Sequence, residues 1–105
     1  MRKKGKQVQQ LKKLRVMEEV WVLTALFTGD NNDNRLEVVG VYKAMYKAIE
    51  EMINYHESTK EAWMKEGIEK DEILDIRHAW TCTLKVKNSH KEAEFNIYRE
   101  IIDNE

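Results

Sequence analysis

From Val20 to Phe27 the chain is apolar on both sides of a two-residue alternation. Trp21, Leu23, Ala25 and Phe27 fall on one side, and Val20, Val22 and Leu26 on the other. A strand of this kind is buried on both faces, by a helix on one and by a subunit or second layer on the other. The pattern predicts a strand over residues 16–28. Residues 29–34 (Gly-Asp-Asn-Asn-Asp-Asn) then read as a turn, because they accept positive φ or hydrogen-bond their own backbone. Residues 36–42 form a second strand, and the two predict an antiparallel hairpin. Gly40, isolated in that strand, marks a bulge or the close approach of a helix.

The period then changes to 3.6. Met45, Ala48, Ile49, Met52, Ile53, His56 and Trp63 recur on one stripe, with Lys47, Glu50, Glu51, Asn54 and Glu57 opposite, which predicts a helix over residues 43–65. Gly67 stands where a glycine stops a helix. Ser58-Thr59-Lys60-Glu61 also fits a capping box, so two shorter helices are the alternative. Ile76, His78, Trp80, Cys82, Leu84 and Val86 alternate with Arg77, Ala79, Thr81, Thr83, Lys85 and Lys87, the signature of one strand with one buried face. Residues 88–91 are a turn. Ala93, Phe95, Ile97 and Ile101 alternate with Glu94, Asn96, Tyr98 and Glu100 in a last strand, although a Glu-rich end of this kind is also compatible with a helix. The sum over residues 16–105 is one small α+β domain. It is an antiparallel sheet of about four strands in the order ββαββ, with one long amphipathic helix packed on it.

Charge adds a second unit. Arg2, Lys3, Lys4, Lys6, Lys12, Lys13 and Arg15 give residues 1–15 a formal +7 with no acid among them. The other eleven Lys/Arg stand against all nineteen Asp/Glu, so a basic arm precedes a body of net −8. Such asymmetry points to a partner, either an acidic surface for the arm or a basic one for the body. The arm reads as disordered or as a short helix, with Val8, Leu11 and Leu14 three apart; nine residues of helix are marginal without packing. It is a site for phosphate and nucleic acid, or a solvated tail that pairs with acids of its own body or a sister subunit.

Composition narrows the classes. A chain of 105 residues buries only about two-thirds of its unfolded surface, and 35% of this one is charged. Few apolar positions are to spare, and a homo-oligomer is one way to cover them. The single cysteine, Cys82, excludes an intrachain disulfide and fits a reducing cytoplasm. The longest apolar run, at residues 20–27, falls short of the roughly 20 residues a membrane span needs. No apolar segment with a small-residue cleavage site follows the basic start, so neither membrane nor secretory leader is expected.

No catalytic, cofactor or metal signature emerges. Asp30-Asn31-Asn32-Asp33-Asn34 resembles the start of a calcium loop, but Arg35 and Val41 occupy the positions that need Gly and Glu. His56, His78, Cys82 and His90 lack the paired short spacing of a zinc site. Four residues of strand separate His78 from Cys82 by about 13 Å, too far for a shared metal or a nucleophile–base pair. His56 on the helix can reach Cys82 on the sheet, which leaves a buried Cys–His pair open. Of the aromatic residues, Tyr46 and Tyr55 lie off the helical stripe and are candidates for the surface or an interface.

Val20-Trp21-Val22-Leu23-Thr24, then Val39-Gly40-Val41-Tyr42, then residues 43–51 with Ala44 and Ala48, then Phe95-Asn96-Ile97-Tyr98 closing with Asp103, resemble small uncharacterised bacterial, phage and prophage proteins. Those are built as a hairpin, a Gly-Val-Tyr/Phe hinge, an amphipathic helix and a closing strand. The resemblance covers residues 16–103 and implies a small scaffold, with no active-site residue to transfer. The arm and the long helix depart from the shortest of these proteins. Many such phage proteins bind host or defence components, and some sequester small signalling molecules. The expectation is therefore a non-enzymatic interaction protein, such as an inhibitor or regulator of a host or defence protein. It would cover a basic partner surface with Glu50, Glu51, Glu57 and Glu61, or capture one with its arm. The alternatives are nucleic-acid binding through the arm, and sequestration of a small anionic ligand or nucleotide between subunits.

Overall fold

The computed structural model describes residues 17–29 and 34–103. The basic arm and residues 30–33 of the first turn lie outside them. The elements are β1 (Met17–Thr28), β2 (Arg35–Tyr42), α1 (Met45–Lys65), a 3-10 turn (Lys70–Glu72), β3 (Ile73–Arg77), β4 (Thr81–Val86) and β5 (Glu92–Asp103). The strands form one sheet in the order β2-β1-β5-β4-β3, antiparallel at every step. β1 thus has a strand on each side, which suits its run of β-branched and aromatic residues.

Cross-strand pairing gathers one set of side chains beneath α1. Leu23 stands opposite Ile97, Ala25 opposite Phe95, Cys82 opposite Phe95, Leu84 opposite Ala93, and Ile73 opposite Val86. Ala48, Met52 and Trp63 of α1 close over them. Phe95 sits at the centre, fully buried, with edge contacts to Phe27 (ring centroids 6.0 Å apart) and to His56 (6.1 Å). Met45 and Ile53, which the period places on the apolar stripe, are exposed.

The end of α1 follows from one residue. Gly67 has φ +105°, a conformation side chains rarely adopt. There its N–H reaches the Met64 carbonyl and that of Ile68 reaches the Trp63 carbonyl, both at 3.1 Å. These two bonds are the Schellman arrangement, with Ile68 packed on the core that holds Trp63. α1 runs unbroken through residues 58–61, so the capping-box alternative is not taken. Gly40 lies beside a bulge, where the β1–β2 register shifts opposite Leu23 and Thr24. A Cβ at Gly40 would run into the Tyr42 ring.

The expected order ββαββ is corrected to ββαβββ, with five strands. Residues 76–87 are not one strand but β3, a tight reversal and β4. The His78 N–H donates to the Thr81 carbonyl at 2.7 Å and closes the reversal without glycine or proline. Reversal also resets the alternation. Arg77 pairs with Cys82 on the helix side, while Ile76 pairs with Thr83 on the other side and is exposed. His78 and Trp80, expected on the buried face, are exposed at the turn. The final segment is strand rather than helix.

Candidate interaction surface

α1 covers one face of the sheet, and the other is read directly from the register. The rows that cross it include Val41, Val22 and Tyr98; Val38, Thr24, Asn96 and Thr81; and Leu36, Leu26, Glu94, Thr83 and Ile76, while Val20, opposite Glu100 towards the start of β1, is already buried. The apolar members concentrate on β2 and β1. Leu36 is 69% exposed, Val38 66%, Val41 57% and Tyr98 51%. Val22 and Leu26 beside them are half-buried. Towards β4 the face turns polar. The Thr81 hydroxyl donates to Asn96 Oδ1, and the Asn96 amide donates to Glu94, each at 2.9 Å. Glu92 and Glu100 share that face of β5, the former opposite Lys85. The face is therefore apolar on β2 and β1, carries hydroxyl, amide and carboxylate groups on β5 and β4, and exposes Leu74 and Ile76 on β3. Contiguous apolar surface of this kind marks a binding site more often than scattered exposed residues do.

The residues singled out in the sequence are dispersed rather than gathered. The arm cations Arg2, Lys3, Lys4, Lys6, Lys12, Lys13 and Arg15 lie outside the described residues. Tyr46 and Tyr55 are exposed on α1. Glu50 and Glu51 both lie near Lys47, at 3.6 and 3.3 Å, and Glu57 pairs with Arg77. Three of the four helix glutamates thus already face a cation of their own chain; Glu61 is exposed. Sequence reasoning missed the β2 side chains. Leu36, Val38 and Val41 read as an ordinary strand, and only the register shows that they share one uncovered face.

The densest polar cluster joins α1 to β3. His56 is fully buried, and its Nε2 lies 2.7 Å from Asp75 Oδ1. Lys60 Nζ donates to Asp75 Oδ2 at 2.8 Å, and Arg77 Nε reaches Oδ1 at 3.4 Å. Burial alone would push the Asp75 carboxyl up. The hydrogen bonds from Lys60, His56 and Arg77 outweigh it and hold the carboxyl well below the usual carboxylate range. The ionised Asp75 carboxylate can only accept, so His56 donates to it through Nε2; Nδ1 of His56 has no hydrogen-bond partner among the described residues. The His56–Cys82 pair left open by the sequence is replaced by His56–Asp75. Burial pushes the Cys82 thiol up, away from the thiolate a nucleophile needs. With the ring shut off from solvent, the cluster clamps helix to sheet. Among the described residues no group of three or more His, Cys, Asp or Glu could hold a metal ion.

A cleft of about 460 Å³ opens where α1 passes the ends of β1 and β5. Phe27 and Trp63 line it, each with a cation above its ring: Arg35 at 4.7 Å and Lys91 at 5.4 Å. Lys91 also pairs with Glu66 at 3.2 Å, and Glu66 and Glu92 share the lining. Two cations against two carboxylates give no preference for an anion. No described helix is long and apolar enough to cross a membrane. Compared with known proteins, the chain matches no family model, no curated protein and no solved structure.

Proposed function

We propose that this protein works by binding another protein surface, without chemistry of its own, through the sheet face that α1 leaves open. The observation that carries this reading is the exposure of Leu36, Val38 and Val41 on one face of β2, next to Val22, Leu26 and Tyr98. Apolar side chains massed on a single face gain from being covered, at about 25 cal/mol per Å² removed from water. The narrower form is an inhibitor or regulator of a host or defence protein, which the resemblance to small phage proteins suggests. A photo-reactive phenylalanine analogue tests the reading. Placed at Val38 in living cells, it should trap a protein; placed at Glu61 on the outer side of α1, it should not. Equal trapping at both positions, or none at Val38, contradicts the proposal.

A further inference from the structure

We infer that the occupant of the open face is a second copy of this chain, stacked sheet on sheet. This rests on the reading above and specifies its partner. Area is the first argument. The exposed fractions of Leu36, Val38, Val41 and Tyr98, with the half-buried Val22 and Leu26, leave roughly 500 Å² open per copy. Two copies stacked on these patches bury about 1,000 Å² before any rim contact, the size at which a specific interface begins.

Charge placement is the second argument, and it makes the face self-complementary. The apolar side chains occupy β2 and β1, whereas Glu92, Glu94 and Glu100 run along β5 on the same face. A two-fold axis parallel to the strands, between β1 and β2, lays β2 of each copy over β1 of the other. Leu36, Val38 and Val41 then meet Val22 and Leu26 across the interface. The same rotation sends the two glutamate rows to opposite margins. They end up three strand spacings apart, about 14 Å, beyond the screening length of about 8 Å at physiological ionic strength. Any axis that stacked β5 on β5 would instead oppose like charges. Tyr98, on β5 and half exposed, comes to lie against the outer edge of the other copy's β2, where a ring can wrap the margin. Sheets stacked about 10 Å apart in this way make a sandwich whose second layer is the partner, with α1 of each copy on the outside.

Native mass spectrometry and sedimentation of the full chain, at 0.15 M and 1 M salt, test the inference. Wild type should be a dimer that persists at 1 M salt, because apolar burial is not screened. Val38→Asp and Leu36→Lys, both at strongly exposed positions, should each weaken the dimer by about tenfold or more with the circular dichroism spectrum unchanged. Glu61→Lys should leave it intact. A dimer lost at 1 M salt would mean that charge, such as the basic arm, holds it, and would overturn the inference. So would a dimer indifferent to Val38→Asp and Leu36→Lys. A monomer at every concentration, with the photo-reactive group at Val38 trapping a protein of different mass, overturns the second-copy inference and leaves the binding reading standing. A monomer that traps nothing overturns both.

Discussion

Asp75 is the residue on which the helix–sheet junction turns. Its carboxylate takes hydrogen bonds from His56 and Lys60 of α1 and from Arg77 of its own strand, with its side chain only one-fifth exposed. Asp75→Asn keeps the shape and removes the charge, leaving two cations facing a neutral amide. The expected cost is about 2–3 kcal/mol, read as a fall in Tm of about 10 °C or more at pH 7. Acid should erase the difference. A carboxyl held below its unfolded value of about 3.9 adds stability above that pH, and loses it as pH falls from there towards the folded value. The gap in Tm between wild type and Asp75→Asn should therefore narrow between pH 5 and pH 3, and a constant gap would contradict the role given to Asp75. His56 is visible in the sequence as a histidine on an apolar stripe. Its partner is not, because the pairing joins residues nineteen apart through a strand whose register the chain does not spell out.

At the scale of elements, local chemistry was legible and reversals without special residues were not. The strand β1, the helix α1 and its stop at Gly67 stand in the structure as expected. Gly67→Ala tests the last of these. Nothing lies within 4 Å of a Cβ built there, so any loss comes from the backbone alone. The variant should lose about 1 kcal/mol and fray the end of α1, which thermal melts and hydrogen exchange of residues 62–66 would show. Stability equal to wild type would mean that the positive φ is not what ends the helix. The β3–β4 hairpin shows the limit of pattern reading. His78-Ala79-Trp80 continues the alternation across the bend, so one strand was read where two stand. Tight turns made by ordinary residues leave the hydrophobic period intact while reversing the chain, and the face of each residue beyond is then misassigned.

The described residues form a helix on one side of a five-stranded sheet, with apolar side chains on β2 and β1 of the other side and polar ones across β5 and β4. The sequence already said that β1 needs cover on both faces. It could not say that β2 extends the uncovered area, since that depends on the bulge at Gly40 and the register beyond it. The basic arm, the strongest feature of composition, lies outside the described residues, and the account does not depend on it. A protein that works by binding through this face has it covered when it works. Cys82, buried and with its thiol pushed up by burial, should react slowly with alkylating reagents. A second thiol introduced by Val38→Cys therefore reports alone. Its alkylation should be fast in dilute protein and slow at least about tenfold as concentration rises or a binding partner is added, while the thiol of Glu61→Cys keeps one rate throughout. If the thiol of Val38→Cys stays as fast as that of Glu61→Cys under all these conditions, the open face stays bare and the proposed cover does not form.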